Sequence, residues 1–192
     1  MNRRELYFSL DIEASGPIPG EYSMLSLGAC RVDAFEHTFY AELQPISDRF
    51  VAAALEVSGF DLHQLSTEGQ QPMAAMQSFN KWVTNQAHGR TPVFVGFNAS
   101  FDWSFVNWYF YKFVGTNPFG VAALDMKAYY MGLSGCLWDE TRSSKLPESL
   151  TPDRAQKTRH NALSDALYQA EIFRRMMNLQ TQLLRRNARD NR

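Results

Sequence analysis

The feature that most constrains this chain is an apolar run that ends in two carboxylates, Tyr7–Glu13 (YFSLDIE). In a β-strand, successive side chains point to opposite faces, so the apolar residues share one face while Asp11 and Glu13 share the other. Two like charges at the end of a buried strand repel each other and lose solvation. A divalent cation between them would remove that cost, so the run predicts half of a metal site. The alternative is a strand that ends at the surface with solvated charges.

Length and composition are those of one ordinary globular domain. The chain has 192 residues, of which 45% are hydrophobic and 20% are charged, enough for one full-sized core. No stretch approaches ~18 uninterrupted apolar residues, and the N-terminus lacks a signal-peptide pattern. We therefore expect a cytoplasmic protein without a membrane span. Cys30 and Cys136 lie far apart and form no CxxC motif, so they are expected to be reduced thiols.

The net charge of −1 is unevenly distributed. From Arg174 onward there are six arginines and one acid, so this segment carries +5 and the remainder carries −6. We divide the chain into a single domain at residues 1–180 and a basic C-terminal tail at residues 181–192. The acidic body gives no support for nucleic-acid binding, whereas the tail gives weak support. The tail is otherwise explained as a solvated helix end whose arginines complement the helix dipole.

Hydrophobic periodicity and turn residues predict an α/β domain with a mixed sheet flanked by helices. After the first strand, strands at 23–32 and 37–43 are separated by a short turn, which favours an antiparallel meander. The later pattern alternates helix and strand: helices at 49–57 and 72–87, a strand at 92–97, a helix at 101–114, a strand at 121–126 and a helix to about 133. A polar loop at 134–158 precedes a long final helix that starts near 161.

Two further segments place acids at the starts of predicted helices. Asn98-Ala99-Ser100-Phe101-Asp102 follows a strand, and the helix dipole favours Asp102 in the first turn by roughly 0.3–1 kcal/mol. In the second segment, Asn161 is a suitable N-cap, with His160 just before the helix and Asp165 in its first turns. For each segment alone, a surface acid near a helix start is the simpler explanation.

Together, three motifs in order resemble the DEDD superfamily of 3′→5′ exonucleases, in the branch that uses a histidine. They are Asp11-x-Glu13, Asn98-x-x-Phe101-Asp102 and His160-x-x-x-x-Asp165. The polymerase-proofreading subunit, ribonuclease T and oligoribonuclease belong to this branch, which has a ribonuclease H-like fold. The resemblance covers residues 6–177. Two departures bear on substrate preference: Ala14-Ser15-Gly16 where the family often has Thr-Thr-Gly, and Phe97-Asn98 where His-Asn is common.

The resemblance implies two-metal hydrolysis at the 3′ end of single-stranded RNA or DNA, with release of 5′-mononucleotides. Asp11 would bridge two Mg²⁺ or Mn²⁺ ions. Glu13 and Asp165 would complete one site, and Asp102 would support the other. Two ions about 3.5–4 Å apart can activate a water and stabilise the leaving 3′-oxygen. His160 would accept the proton of the attacking water, and a pKa near ~6.5 suits that role.

The resemblance also implies substrate contacts, at Ser15, Gly16, Met24, Asn98 and Phe101. The helix from Phe101 to Phe113 has eight aromatic side chains in thirteen residues. One interpretation is a stacking platform for bases. The other is core packing on one side and, on the opposite side, contact with a second copy of the chain in a homodimer.

A rival hypothesis is a catalytically silent nucleic-acid-binding or adaptor domain on the same fold. A binding module has no use for four acids beside a phosphate backbone, because like charges repel. The motifs GxSxG, GxGxxG, GxxxxGK and HExxH, which mark other nucleophile, cofactor and zinc sites, do not occur in the sequence. The acidic motifs therefore favour an enzyme.

Overall fold

The computed structural model describes residues 4–153 and 161–190. Its strands are β1 (Glu5–Ala14), β2 (Met24–Arg31), β3 (Ala34–Glu42), β4 (Thr91–Gly96) and β5 (Ala123–Asp125). Its helices are α1 (Ala52–Ser58), α2 (Leu62–Glu68), α3 (Pro72–Ala87), α4 (Ala99–Phe113), α5 (Met126–Ser134) and α6 (Ala162–Asp190). Between α5 and residue 153, short 3₁₀ helices lie at Trp138–Thr141, Ser143–Lys145 and Glu148–Leu150.

The strand with the two carboxylates, β1, lies at the centre of a five-stranded sheet in the order β3-β2-β1-β4-β5. It pairs antiparallel with β2, which pairs antiparallel with β3. On its other side, β1 pairs parallel with β4, and β4 with β5. The predicted α/β class with a mixed sheet is confirmed. The β1–β4 pairing ends at Ser9 and Val95, so the last part of β1, with Asp11 and Glu13, extends beyond its parallel neighbour.

Alternation along β1 sends its side chains into two different layers. The apolar face packs against α3 and α4 and is at most 5% exposed, at Leu6, Phe8, Leu10 and Ile12. Helix α4 adds Phe105, Tyr109 and Phe110 to the same layer, each 0% exposed. Core packing therefore accounts for many of the aromatic side chains of α4. Phe101 and Tyr111 are exposed exceptions.

Helix α6 covers the opposite face of the sheet through a stripe of small residues. The stripe has helical spacing and is fully buried, at Ala162, Ala166 and Ala170. The thiol of Cys30 on β2 donates to the carbonyl oxygen of Ala166 at 3.6 Å, and Cys30 is a free, buried cysteine as predicted. Small side chains let the helix backbone lie close to the strands.

Gly28 on β2 makes this close approach possible. A Cβ atom at Gly28 would lie 2.2 Å from the backbone nitrogen of Leu163 and from the carbonyl carbon of Ala162, so only glycine fits under the first turn of α6. Gly28 is also the antiparallel partner of Asp11. The position where α6 touches the sheet is therefore next to the carboxylates of β1.

Some element boundaries differ from the predicted ones. Helix α4 begins at Ala99 rather than 101, because Asn98 has a left-handed backbone (φ 66°) that turns the chain directly from β4 into the helix. Strand β3 begins at Ala34 because the turn before it has only two residues. The segment after α5 was predicted as a polar loop. Up to residue 153 it contains short 3₁₀ helices, and its Leu146 and Leu150 side chains are buried against α6.

Helix α6 continues past the boundary predicted at residue 180, and residues 181–189 are exposed along it. The division into a domain at 1–180 and a basic tail at 181–192 stays a prediction. Within residues 4–153 and 161–190, every helix is too short or too polar to span a bilayer.

Replacing Gly28 by alanine is expected to destabilise the protein by about 1–3 kcal/mol, because the new Cβ must displace the backbone of α6. Chemical denaturation measures the change. Gly132→Ala in α5 is the matched control, since a Cβ there meets nothing within 4 Å and alanine favours helix. Equal free energies of unfolding for the two variants would show that the packing of α6 on the sheet does not require glycine at position 28.

Candidate active site

Four acidic side chains from three elements converge beyond the end of the β1–β4 ladder. Asp11 and Glu13 come from β1, Asp102 from the first turn of α4 and Asp165 from the first turn of α6. They line a cleft of about 310 Å³ together with Ile12, Phe97, Asn98, Phe101, Ser143, Tyr168, Gln169 and Ile172. The structure thus brings together the four acids that the sequence motifs predicted.

Three of the carboxylates form a tight group. Oxygen atoms of Asp11, Glu13 and Asp165 all lie within 4.8 Å of one another. Asp102 is held against the wall of the cleft, where its Oδ1 accepts a hydrogen bond from the N–H of Ile12 at 2.9 Å. The three-carboxylate group can hold one cation, and Asp102 lies on the adjoining wall.

Burial and mutual repulsion perturb these acids. Burial first, then repulsion from Asp102, Asp165 and Glu13, raises the pKa of Asp11 well above its usual range. Burial and then repulsion from Asp165 raise the pKa of Glu13 to about 7. Burial also raises the pKa of Asp102 to about 7, against the opposing effect of its hydrogen bond from Ile12. The cluster therefore resists ionisation unless positive charge is supplied.

The donor set fits a hard divalent cation. None of the twelve described residues that line the cleft is Lys, Arg or His, so these residues offer no side-chain cation to offset the acids. Carboxylate oxygens are the ligands that Mg²⁺ and Mn²⁺ prefer. A bound cation would stabilise the ionised form of all three clustered acids at once.

Asp125 fixes the helix that carries Asp102. One of its carboxylate oxygens accepts a hydrogen bond from the N–H of Ala99 at 2.7 Å, and the other accepts from the N–H of Ala128 at 2.8 Å. The Asp125 side chain therefore caps α5 and also fixes the start of α4 by a hydrogen bond.

The predicted cap of α6 is confirmed. The Oδ1 atom of Asn161 accepts hydrogen bonds from the N–H groups of Leu163 and Ser164, each at 3.1 Å. This cap fixes the first turn of α6, from which Asp165 projects. The predicted general base, His160, precedes Asn161 and lies outside the described residues.

Of the predicted substrate contacts, Asn98 and Phe101 line the cleft. The ring of Phe101 is partly exposed there and packs on Phe105 at 5.3 Å between centroids. Met24 is not among the residues that line the cleft, and its contact with substrate stays a prediction. Its side chain is fully buried in the core below α4, and its N–H donates to the hydroxyl oxygen of Tyr109 at 2.8 Å.

Ser15 and Gly16 also lie outside the residues that line the cleft, and their contact with substrate stays a prediction. The buried Ser15 hydroxyl donates to the carbonyl oxygen of Arg49 at 2.9 Å and accepts from the N–H of Ser23 at 3.0 Å. Gly16 lies under the ring of Tyr22, where a Cβ would come within 2.3 Å of that ring. Both residues shape the loop that follows β1.

Sequence reasoning missed Gln169, Tyr168 and Ser143 in the cleft. The Nε2 of Gln169 donates to Oδ1 of Asp11 at 2.6 Å, and its Oε1 accepts from the N–H of Phe97 at 2.8 Å. Gln169 is four residues after Asp165, so helical spacing could have indicated it. Ser143 comes from a 3₁₀ segment without periodicity, so no sequence signal indicated it.

Comparison with known proteins identifies the family to which the chain belongs. The sequence model of the exonuclease family (RNase_T) matches residues 8–173. The chain therefore belongs to the exonuclease family, and the 3′→5′ exonuclease activity inferred from the motifs is confirmed. A 3′-5′ DNA exonuclease of Escherichia coli, Cap18, is 49% identical over 172 residues, which are 89% of this chain and 91% of the relative.

Solved structures show the same fold at low identity. The nuclease domain of 3′hExo, a DEDDh family member bound to rAMP, has a TM-score of 0.71 at 15% identity and covers 90% of this chain and 92% of that chain. E. coli exonuclease I in complex with an oligonucleotide has a TM-score of 0.65 at 16% identity and covers 94% of this chain and 43% of that chain. The ribonuclease H-like fold is thereby confirmed.

The raised pKa values predict how stability depends on pH without metal. A carboxyl group in the unfolded chain titrates near pH ~4, whereas Glu13 and Asp102 titrate at about 7 in the folded protein. Between these values the folded state binds more protons at these groups, so their contribution to stability is full below about pH 4 and is lost as the pH rises through about 7. Thermal unfolding in chelator across this range measures the slope.

Glu13→Gln is expected to make this slope shallower, because one group with a raised pKa is removed. Glu36→Gln is the matched control, since the side chain of Glu36 is 75% exposed. Excess Mg²⁺ should also flatten the wild-type curve. An identical slope for wild type and Glu13→Gln in chelator would contradict this account.

Proposed function

We propose that this enzyme degrades single-stranded DNA from the 3′ end to 5′-mononucleotides, with Mg²⁺ or Mn²⁺ held by its acidic cluster. The observation that carries the proposal is the group formed by Asp11, Glu13 and Asp165, whose oxygens lie within 4.8 Å of one another. DNA is proposed rather than RNA because the relative that is 49% identical is named as a DNA exonuclease.

In this proposal, Asp11, Glu13 and Asp165 hold one cation, and Asp102 with Asp11 supports a second. When bound, such ions polarise the phosphodiester, lower the pKa of water and stabilise the leaving oxygen. The protein keeps the ligands in place: Ile12 and Gln169 donate hydrogen bonds to Asp102 and Asp11.

Phe101 and Asn98 would contact the terminal nucleotide. Phe101 is 37% exposed beside Asp102, which suits stacking on a base. Asn98 begins α4 in a left-handed conformation without a side-chain capping bond, so its amide is not used to cap the helix. His160 would accept the proton of the attacking water, as the family motif implies.

A single strand fits this cleft better than a duplex. Opening DNA costs about 1.4 kcal/mol per base-pair step. The described residues that line the cleft are acidic, polar or apolar and include no basic side chain to draw in a second strand. Blunt duplexes are therefore expected to resist digestion, while 3′ overhangs are digested.

Two other surfaces belong to this proposal. The exposed end of α6 carries Arg185, Arg186 and Arg189 and would hold the upstream part of the strand through its phosphates. A homodimer would use the outer side of α4, where Tyr111 is 52% exposed and lies outside the catalytic cleft.

The proposed function is tested with 5′-labelled oligonucleotides of the same sequence as single-stranded DNA, single-stranded RNA and blunt DNA duplex. Wild type with Mg²⁺ should shorten single-stranded DNA fastest, and excess chelator or Asp11→Asn should abolish cleavage. Glu36→Gln should cleave like wild type. Full activity in excess chelator would contradict the proposed metal site. Equal cleavage rates on blunt duplex and single strand would contradict the proposed substrate preference.

His160→Ala should lower kcat by ~10²–10⁴-fold, the usual contribution of general acid–base catalysis. Mn²⁺ affinity should remain near that of wild type, because the carboxylates are intact. The matched control is His37→Ala on β3, where the His37 side chain is 42% exposed. A variant with wild-type kcat would rule out His160 as the base.

A further inference from the structure

Gln169 sits where two parallel strands of the sheet separate. The last paired residues of β1 and β4 are Ser9 and Val95. If this register continued, Leu10 would face Gly96 and Asp11 would face Phe97, the residue that follows β4. The Gln169 side chain joins these two positions instead, because its Oε1 accepts from the N–H of Phe97 at 2.8 Å and its Nε2 donates to Asp11 at 2.6 Å.

The orientation of the Gln169 amide follows from its partners. A backbone N–H can only donate, so the oxygen of the amide must face Phe97. The NH₂ group must then face Asp11, where it presents a donor and no lone pair. Gln169 is buried, at 8% exposed.

We propose that Gln169 is a positioning residue that locks the Asp11 carboxylate in the orientation needed to bind the metal. This inference rests on the proposed function, since it assigns Asp11 to the metal site. An ionised carboxylate has about four acceptor positions, so one bond from Gln169 leaves the others available. The bond removes the rotational freedom of Asp11 without adding charge to a cluster that is already strongly acidic.

Helix geometry explains how α6 can both supply a metal ligand and position another one. Asp165 and Gln169 are four residues apart and therefore lie on one side of α6. Asp165 contributes an oxygen to the three-carboxylate group, and Gln169 holds a second member of that group, Asp11. Docking of α6 therefore supplies one ligand and orients another.

The test is Gln169→Met, which keeps a long side chain in the buried position but removes both hydrogen bonds. Calorimetric titration of the full chain with Mn²⁺, without nucleic acid, should show affinity weaker by ~10–100-fold, the usual effect of losing a partner of a metal ligand. Gln77→Met, at an exposed position of α3, is the matched control and should bind Mn²⁺ like wild type.

Cleavage of single-stranded DNA separates positioning from general damage. In Gln169→Met, saturating Mn²⁺ should restore kcat most of the way to wild type, because mass action compensates for a weakened site. Wild-type Mn²⁺ affinity in the folded variant would overturn this inference alone. Absence of Mn²⁺ binding by wild-type protein would overturn the proposed metal site and this inference with it.

If Gln169→Met does not fold, a measurement on wild-type protein still tests the proposal. In ¹⁵N-labelled protein, the side-chain amide resonance of Gln169 reports on its bond to Asp11. Addition of Mg²⁺ should shift this resonance, because the charge on its hydrogen-bond partner becomes shared with the cation. An unshifted resonance at saturating Mg²⁺ would overturn the inference.

Discussion

Repulsion among carboxylates at the end of one strand is the force that the surrounding structure must oppose. Burial strengthens that repulsion, because the low dielectric of a closed cleft screens charge less than water does. The acids are restrained by neutral groups that need no cation. The N–H of Ile12 holds Asp102, the amide of Gln169 holds Asp11, and a capped first turn carries Asp165. A cation would therefore enter a site whose ligands are already in position.

Close packing between α6 and the sheet sets the distances within the cluster. The alanine stripe of α6 lies on the strands, and Gly28 has no Cβ to hold the helix away from them. Because Gly28 pairs with Asp11, any change in the height of the helix above the sheet would also change the separation between Asp11 and Asp165. The spacing of the ligands thus depends on residues that carry no functional group.

Much of the site was predictable because it follows from local periodicity. Alternation in β1 put Asp11 and Glu13 on one face. The strand before it put Asp102 at a helix start, and the Asn161 cap did the same for Asp165. The burial of Met24 could not be read from the sequence, because it depends on how α4 packs against the sheet. Gln169 was missed since glutamine is common in helices, and its role depends on where β4 leaves β1, which is a property of the tertiary structure.

Helix α6 has 29 residues, so its axis is roughly 43 Å long. One continuous helix connects the catalytic cleft, at Asp165, with the exposed end near residue 190. A fluorophore joined to that end would stand at a helix-length distance from the acidic cluster. The end of α6 is therefore a natural reference point for measuring, by distance-dependent energy transfer, how a labelled strand shortens as it is consumed.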